Sequence, residues 1–442
     1  MSTNRPPADR GSAARAGAQL ERVTATHVAW AIALAGLGLR LVMAWQWNRY
    51  SPRGVARLGG DALGYDQLAR DLLSGYGFTW PGRVPLYPLW VAGLHAVFGS
   101  DYEAFYYAQA VVSLAVVPLT FALGRRVGGD AVGLVAAALA AVSYVLIRHA
   151  AVLQSEVLFT PVVLAATIAL HDLLEAPSAR RGALTGMWIG VANLVRPTLV
   201  LFPLAAAALL LLCTGARRGL RLALLCIGTT LLVQAPWMAH NARLGRPVLT
   251  LATSNGILWQ GSPEYYHLTH DEGYSYMRVW NDVLYSHADS APDPGSVAGE
   301  EYWRARALRS IAREPLTYAR YAAEKAVTYW IGDHNADWAD SFTFDARALL
   351  RWGFPRREVV AMVAARSIVP LLALASLLLV WRRWRRLVAP LAVIVYCTLL
   401  HAATHAEARL SEPLQPLLLV LIAMGGVELG RRTAVGAERR VD

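Results

Sequence analysis

The chain alternates between long apolar runs and short polar connections that carry arginines. A membrane-spanning helix needs about 20 mostly apolar residues. We interpret the apolar runs as about ten spanning helices, at residues 27–47, 103–123, 130–148, 157–174, 183–195, 197–212, 222–239, 359–380, 388–402 and 413–430. The stretch 183–212 is divided at Arg196-Pro197, because proline removes a helix donor and the residue before it avoids the helical region. The pattern predicts an all-α integral membrane protein with juxtamembrane helices in its outer loops.

The basic residues predict how these helices are oriented. Cytoplasmic connections of membrane proteins carry an excess of Lys and Arg. With the amino terminus inside, every second short connection is basic: Arg125-Arg126, Arg180-Arg181, Arg217-Arg218 with Arg221, Arg382 to Arg386, and Arg431-Arg432. This alternation requires that residues 85–99 do not cross the membrane, and their short apolar core is typical of a re-entrant or interfacial helix.

This topology divides the chain into predicted regions. Residues 1–26 are polar and predicted to be a disordered cytoplasmic tail. Residues 27–430 form the membrane domain, and residues 431–442 form a second cytoplasmic tail. Four polar segments face outward: 48–102, 149–156, 240–358 and 403–412. In the third, arginines alternate with Tyr, Trp and Leu over 300–330, which predicts one or two interfacial helices.

Composition supports a membrane protein and excludes other classes. Of the 442 residues, 55% are hydrophobic and 17% are charged, whereas a soluble protein has about 25% charged residues. The net charge of +11 does not indicate nucleic-acid binding, because the arginines lie in short clusters between apolar runs. The three cysteines, Cys213, Cys226 and Cys397, lie in apolar runs and have neither disulfide nor metal-site spacing.

Several ionisable residues lie at the outer ends of the predicted spans. They come from distant places in the sequence and share one membrane face: Asp61, Arg83, Glu156, Arg196, His240 and Arg409. Each one alone could be a solvated helix end or an interfacial anchor. Together they favour a shared site.

Three of these positions have two readings each. Asp61 is either the N-cap of a helix or a general base toward a hydroxyl. Arg83 precedes the rigid turn 85–88, and its guanidinium suits bidentate recognition of phosphate, although an interfacial anchor explains it equally well. Glu156 begins a span, where the helix dipole favours a carboxylate, or it is a metal or acceptor ligand.

The loop before the last predicted span is dense in charge. His405, Glu407, Arg409 and Glu412 crowd this short segment, which indicates an anionic ligand site at the mouth of the bundle. Other charged residues are expected to be bystanders. Asp66 and Asp71 should face water, and His149 should lie at the interface.

At this point the chain resembles a known family. The relevant segments are GGDALGYDQLARDLLSGYGF, RVPLYPLW, LQSEVLF, GVANLVRPTLVLFPL, APWMAHNARLGRPVLTLATSNGILWQG, IAREPLTYARYAAEKAV and EARLSEPLQPLL. In this order they resemble landmarks of the bacterial GT-C glycosyltransferases, which are similar to protein O-mannosyltransferases, the aminoarabinose transferase of lipid A and the rhizobial lipopolysaccharide-core transferases. The resemblance spans roughly residues 30–430.

The resemblance implies an enzyme of the bacterial inner membrane that uses a polyprenyl-phosphate-linked sugar donor on the periplasmic side. The acceptor would be a hydroxyl of a lipid, glycan or protein. Asp61 matches the catalytic acid of the first loop and Glu156 the second acidic position. The implied substrate contacts are Arg83, Tyr65, Tyr87, Arg196, His240, Asn241 and Arg409, with Arg83 and Arg409 at the lipid-phosphate end. Whether a divalent metal takes part is open.

The chain departs from the family pattern at three points. It has Ala239-His240-Asn241 where the family often has Arg-Asn, Leu410 where an aromatic is common, and no carboxyl-terminal soluble domain. These departures affect phosphate contacts and acceptor choice. The sugar, the acceptor and the stereochemical outcome are not identified by the motifs.

Two other functional classes compete with an enzyme. A transporter or flippase of lipid-linked sugars would place polar residues near the bilayer midplane on broken helices in repeated halves. Here the charges gather at one face and no halves match, although Arg196-Pro197 is a candidate helix break. A non-catalytic scaffold, or a ligase that uses a preassembled glycan, is the third class.

Overall fold

The computed structural model describes residues 10–50, 60–80, 82–250, 256–274, 276–284, 296–331 and 356–438, with single residues at 54, 58 and 292. These residues are mostly helical, and none of them forms a β-strand. The all-α class predicted from the sequence is confirmed.

The helices of the first half carry most of the apolar runs. In chain order they are α1 Arg10–Tyr50, α2 Asp61–Leu73, α3 Leu86–Phe98, α4 Tyr102–Ser113, α5 Val116–Gly128, α6 Asp130–Val142, α7 Tyr144–Arg148, α8 Glu156–Glu175, α9 Ala179–Val195, α10 Phe202–Thr214 and α11 Ala216–Arg243. Short 3₁₀ helices follow α7 at His149–Ala151 and α9 at Pro197–Leu199.

The helices of the second half begin with short ones. They are α12 Ile257–Gln260, α13 Pro263–Tyr266, α14 Tyr276–Val279, α15 Val297–Arg313, α16 Pro315–Ile331, α17 Arg356–Leu379, α18 Val388–Ala403 and α19 Gln415–Glu438. Two π-helical turns, His267–Asp271 and Trp280–Leu284, and two 3₁₀ helices, Trp381–Leu387 and Ala408–Leu414, lie between them.

The multi-pass membrane character is confirmed, but the count of ten spans is not. Among the described residues, six stretches are long and apolar enough to cross a membrane: Val23–Tyr50, Tyr102–Gly128, Glu156–Glu175, Ala216–Arg243, Trp381–Ala403 and Ala408–Val435. A seventh arises if the pair Asp130–Val142 and Tyr144–Ala151, bent by 54°, is one span. The remaining predicted spans are shorter, because α9 stops before Arg196-Pro197 and α10 has only 13 residues.

The terminal regions and part of the third outer loop either differ from the sequence prediction or lie outside the described residues. Helix α1 begins at Arg10, within the predicted tail, where an alanine-rich sequence favours helix. Residues 1–9 and 439–442 lie outside the described residues, as do 332–355 of the third outer loop. Helix α3 confirms a short helix over 85–99, and its placement at an interface stays a prediction.

A ridge of glycines lets α9 and α11 pack at close range. Gly182, Gly186 and Gly190 are spaced four residues apart on α9. A Cβ atom at Gly186 would lie 2.2 Å from the carbonyl oxygen of Cys226 in α11. Small residues at such spacing allow helix backbones in membranes to approach closely. This contact fixes α11 beside α9, and the last turn of α11 carries two predicted site residues.

The bend after α6 is fixed by a buried arginine of α1. Arg40 is fully buried and donates to the carbonyl oxygens of Ala140, at 3.4 Å, and Ala141, at 3.5 Å. The last carbonyls of a helix have no partner within it, so Arg40 satisfies the end of α6. Ser143 at the bend donates to Gln415 of α19, at 2.8 Å. These contacts direct α7 toward the segment that begins α19.

A separate group of helices, α12 to α16, docks against the end of α18. Its core is an aromatic cluster that includes Trp259 and Trp303. Tyr318 donates to the carbonyl oxygen of Ala403 at 2.8 Å, and Tyr329 donates to that of Leu410 at 3.0 Å. The predicted pair of helices over 300–330 is present as α15 and α16. Their docking fixes the loop between α18 and α19.

Candidate active site

Asp61 is held by two arginines from opposite ends of the chain. It is the first residue of α2, and the N-cap position before it is occupied by Gly60, so the interpretation of Asp61 as an N-cap is wrong. One carboxylate oxygen accepts from Nη2 of Arg83 at 2.7 Å, and the other accepts from Nη2 of Arg409 at 2.9 Å. Residues 348 positions apart are thus brought into direct contact.

The Arg83 guanidinium is enclosed by aromatic rings. Its Nη1 donates to the hydroxyl of Tyr65 at 2.9 Å, and its Cζ lies 4.4 Å from the centre of that ring. Trp80 covers it at 5.1 Å. Gly64 makes room for this indole, because a Cβ atom there would lie 2.9 Å from the Trp80 ring. Aromatic faces attract a cation, so these contacts fix the direction of the Arg83 fork.

Tyr87 lies behind Tyr65 and is fully buried. The two rings meet edge to face with their centres 4.6 Å apart. The Tyr87 hydroxyl donates to the side-chain carbonyl of Gln109 at 3.1 Å. Tyr87 therefore supports Tyr65 from behind in this structure, and its predicted contact with a substrate stays a prediction.

Glu156 anchors the other side of Arg409. It begins α8, and one of its oxygens accepts from Arg196 at 2.8 Å and lies 3.8 Å from Nε of Arg409. Arg196 stands at the break between α9 and the following 3₁₀ helix. We call the connected group the ion-pair cluster: Asp61, Arg83, Glu156, Arg196 and Arg409.

The two carboxylates of the cluster differ in access. The Asp61 side chain is 33% exposed, whereas that of Glu156 is 3% exposed. A ligand can therefore reach Asp61 and the guanidiniums around it, while Glu156 stays behind them.

Glu407 extends this charge network. One oxygen lies 3.6 Å from Nη2 of Arg409, and the other accepts from Nε2 of His405 at 2.8 Å. Burial is the largest influence on Glu407 and acts to raise its pKa, but the hydrogen bond and charge of His405 and the charge of Arg409 together outweigh it, and the pKa falls to about 2. Burial likewise opposes ionisation of Asp61, yet Arg409 and Arg83 hold the pKa of that carboxyl well below its usual value. Both carboxylates are ionised at neutral pH.

A buried clamp fixes the 3₁₀ helix Ala408–Leu414, which carries Arg409. Nη2 of Arg148 contacts both carboxylate oxygens of Glu412, at 2.9 and 2.8 Å, and His149 contacts one of them at 3.1 Å. The prediction that His149 is an interfacial bystander is wrong, because it is buried in this clamp. Sequence reasoning also missed Arg148, and the only available signal was an unexplained acid, Glu412, near Arg409.

His240 and Asn241 serve the neighbouring structure. The His240 ring stacks on Trp237 with centres 4.9 Å apart, and its Nε2 is buried without a hydrogen-bond partner among the described residues. Asn241 donates to the carbonyl oxygen of Val248 at 2.8 Å. These contacts hold the segment that follows α11 in place. Among the described residues, neither side chain makes a hydrogen bond or an ion pair to the ion-pair cluster.

Asp66 belongs to a second polar network, which the sequence did not reveal. It is buried, and it accepts from His95 at 2.7 Å, from Tyr102 at 2.9 Å and from Arg70 at 2.9 Å. The expectation that it faces water is wrong, because three donors from separate helices compensate its burial. This network holds α2 against α3 and α4, and so fixes the direction in which α2 presents Asp61.

The carboxylates of the cluster do not fit a divalent metal. Both oxygens of Asp61 accept hydrogen bonds from guanidiniums, and Glu156 is paired with Arg196. In the described part of the chain, no group of three or more His, Cys, Asp or Glu side chains is arranged to hold a metal ion. Fixed cations already occupy the positions around these acids.

One protein-family model matches part of the chain. Residues 82–240 match the model of the dolichyl-phosphate-mannose-protein mannosyltransferase family. This match includes Arg83, Glu156, Arg196 and His240. A search of curated proteins found no match.

The structural comparisons cover most of the chain. AglB, the oligosaccharyltransferase of Archaeoglobus fulgidus solved with an inhibitory peptide and a dolichol-phosphate, matches with a TM-score of 0.50 and 15% identity, over 96% of this chain and 52% of AglB. The Archaeoglobus fulgidus oligosaccharyltransferase tethered to an acceptor peptide matches with a TM-score of 0.52 and 14% identity, over 91% of this chain and 49% of that one. The chain thus spans about half the length of these proteins.

A third structure is less similar. ArnT of Cupriavidus metallidurans bound to undecaprenyl phosphate has 15% identity over 92% of this chain and 77% of ArnT, with a TM-score of 0.37 that is too low to support a common fold by itself. The oligosaccharyltransferase matches carry the fold assignment. The predicted resemblance is confirmed: the chain has the fold of GT-C superfamily glycosyltransferases, and residues 82–240 match a mannosyltransferase family model.

Proposed function

We propose that the protein is a membrane glycosyltransferase that moves a sugar from a polyprenyl-phosphate donor to a hydroxyl of a lipid, glycan or protein. The observation that carries the proposal is the contact of Asp61 with Arg83 and Arg409 at an accessible position. This contact places a candidate base, Asp61, beside two guanidiniums that can stabilise the negative charge of a departing phosphate. The family-model match and the fold support the same class.

The arginines of the ion-pair cluster are the proposed phosphate site. Arg83, Arg196 and Arg409 bring three guanidiniums to the two carboxylates of the cluster, and Glu407 beside Arg409 adds a third carboxylate. Guanidinium forks bind phosphate oxygens bidentately. AglB was solved with a dolichol-phosphate, a lipid phosphate of the same chemical class as the proposed donor. The unpartnered Nε2 of His240 is a further candidate donor toward the substrate.

Asp61 is the proposed base in a single displacement at the anomeric carbon. The acceptor oxygen bonds to that carbon, and its proton goes to Asp61. The bond from the sugar to the phosphate breaks, and its electron pair leaves with the polyprenyl phosphate. A positioned base contributes about 10²–10⁴-fold to such a rate. Stabilisation of the leaving charge contributes a further 10²–10³-fold or so.

The same two arginines link donor binding to the strength of the base. Arg409 and Arg83 hold the pKa of Asp61 low, which makes it a weak proton acceptor. A donor phosphate that takes their hydrogen bonds weakens this hold, and the pKa of Asp61 rises toward its usual value. The donor is therefore expected to bind before the acceptor is deprotonated. Glu156 stays behind the arginines and orients them.

The proposed setting is the bacterial inner membrane, with the ion-pair cluster facing the periplasm. The support for this orientation is the alternation of basic connections in the sequence. A transporter or flippase remains the second candidate, because α9 does end at Arg196-Pro197 and leaves a broken helix. A flippase moves labelled lipid-linked sugar without any acceptor, whereas a transferase does not.

The decisive experiment compares cell-envelope lipids and glycans by mass spectrometry. A strain without the gene is expected to lack one glycosylated species, and the wild-type gene restores it. Asp61→Asn keeps the shape of the side chain but removes the base, and it is expected not to restore the species. Asp71→Asn, on the same helix and outside the cluster, is the matched control and should restore it.

Stability must be measured alongside activity. Asp61→Asn protein that elutes as a single species and unfolds within a few degrees of the wild type is a fair test. If such protein restores near-normal transfer, Asp61 is not the base. If the deletion strain lacks no glycosylated species, the proposed activity is wrong.

A further inference from the structure

Five arginines line a cleft of about 440 Å³ that is distinct from the ion-pair cluster: Arg382, Arg383, Arg385, Arg386 and Arg431. Four of them come from the 3₁₀ helix Trp381–Leu387, between α17 and α18, and the fifth comes from α19. Two separate parts of the chain therefore direct guanidiniums into one space.

The cleft lies at the other end of the helical bundle. Helix α19 begins at Gln415, directly after the 3₁₀ helix that carries Arg409. At 1.5 Å per residue, Arg431 lies about 24 Å farther along the helix axis. The hydrocarbon core of a bilayer is about 30 Å thick. The cleft and the ion-pair cluster are thus near opposite membrane surfaces.

The cleft has little internal counter-charge. Glu428 pairs with Arg383 at 3.0 Å and with Arg432 at 3.1 Å. Within the part of the chain that the structure describes, no carboxylate lies within ion-pair distance of Arg382, Arg385 or Arg386. Like charges that line one cleft repel one another, and an external anion would reduce this repulsion.

The surroundings are suited to a lipid. Trp381 and Trp384 flank the arginines in sequence and are 58% and 44% exposed, as is typical of rings at the level of lipid headgroups. Leu378 of α17 and Leu429 of α19 are also exposed, on the membrane side of the arginines in sequence. The neighbourhood combines a basic cleft with apolar surface.

We propose that this arginine cleft binds the phosphate headgroup of an anionic membrane phospholipid, in the leaflet opposite the ion-pair cluster. The orientation of a membrane protein depends on the number of basic residues in its cytoplasmic connections, and lysine and arginine count alike. Membrane orientation does not require basic residues from two separate helices to line the same cleft. Convergent guanidinium forks match the geometry of a phosphate group. This inference does not depend on the proposed sugar transfer.

Native mass spectrometry of the full-length protein in detergent tests the proposal. The protein is titrated with dioleoylphosphatidylglycerol or with zwitterionic dioleoylphosphatidylcholine. The wild type is expected to retain one phosphatidylglycerol in preference to phosphatidylcholine. The triple variant Arg385→Gln, Arg386→Gln, Arg431→Gln should bind it roughly a hundredfold more weakly, since each of the three basic residues near a membrane surface contributes about 1 kcal/mol and about 1.4 kcal/mol is tenfold.

The matched control removes three arginines that do not line the cleft, from connections predicted to lie on the same side of the membrane. Arg180→Gln, Arg217→Gln, Arg221→Gln should leave phosphatidylglycerol binding within about twofold of the wild type. An equal loss in both triple variants would show that only total charge matters, and would overturn the proposal. Both proteins must elute as single species with unchanged helical circular dichroism.

Two further arms separate the alternatives. Replacing the same three cleft arginines by lysine keeps the charge but removes the forks, and it should weaken binding at least about fivefold. Unchanged binding in the lysine variant would overturn a built phosphate site. Inorganic phosphate should not displace the bound phosphatidylglycerol at millimolar concentration. Complete displacement would identify free phosphate as the ligand and contradict a lipid site.

Discussion

Arg409→Lys separates the role of Arg409 in the proposed transfer from its role in the fold. Arg409 donates to Asp61 at 2.9 Å and also lies 3.8 Å from Glu156 and 3.6 Å from Glu407. Lysine keeps the positive charge, but a single ammonium group cannot reproduce a planar fork that reaches several acceptors. The substitution therefore removes geometry and retains charge.

The expected loss of stability is small. Each of the three carboxylates keeps another partner: Asp61 keeps Arg83, Glu156 keeps Arg196, and Glu407 keeps His405. Only one short charged hydrogen bond is lost, which typically contributes about 1.5–3 kcal/mol. Since Asp61 is one-third exposed, water replaces part of that bond. We expect the free energy of unfolding to fall by about 1–2 kcal/mol.

The expected loss of activity is much larger. Removal of one preorganised donor to a developing oxyanion lowers kcat by roughly 10²–10³-fold. Transfer is measured with purified protein and the donor and acceptor identified from the envelope comparison, and unfolding is followed by circular dichroism. Arg126→Lys, which alters an ion pair with Asp172 outside the cluster, is the matched control and should keep most of its activity. Arg409→Lys with more than half of the wild-type kcat would refute the phosphate assignment.

Three other predictions concern the support of the site and its response to acid. Glu412→Gln removes the carboxylate that pairs with the buried Arg148 and should destabilise the protein by about 3 kcal/mol in thermal unfolding, whereas replacing both residues by apolar ones should restore much of the loss. Gly64→Ala should cost about 1 kcal/mol because its Cβ would meet the neighbouring indole ring, while Gly93→Ala, in open space on α3, should be neutral or stabilising. The pKa of Glu407 falls from 4.5 to about 2 on folding, so its ionised form stabilises the fold at pH values above 4.5. This stabilisation is lost as the pH falls from 4.5 toward 2. Glu407→Gln should therefore flatten the dependence of the unfolding free energy on pH only in that acidic window.

The sequence was informative where one local pattern determines the structure. Apolar runs identified the long spans, and Arg196-Pro197 marked a real helix break. Charged residues placed at one membrane face identified all members of the ion-pair cluster, because burying a charge near a bilayer requires a partner. Asp61 and Arg409 could be grouped in this way although nothing local connects them.

Prediction failed where a residue depends on a partner that only the fold supplies. Asp66 looks like a solvated acid on an amphipathic helix until His95 and Tyr102 arrive from other helices. Arg148 and Glu412 are 264 positions apart, and neither carries a signal of the pairing. The number of spans was overestimated because breaks inside apolar stretches leave helices that are too short to cross a membrane.

Arg40 has a consequence for how the chain is assembled. Its distant acceptors lie about 100 positions later in the sequence, on the third apolar segment to be synthesised. On the scale from membrane-insertion experiments, an arginine at the centre of a spanning helix costs roughly 2.5–3.5 kcal/mol. We therefore expect the newly made first span to wait beside the insertion machinery, or to shift toward the headgroups, until α6 emerges. Insertion is then expected to be cooperative between spans, and truncation before residue 140 should leave α1 poorly inserted.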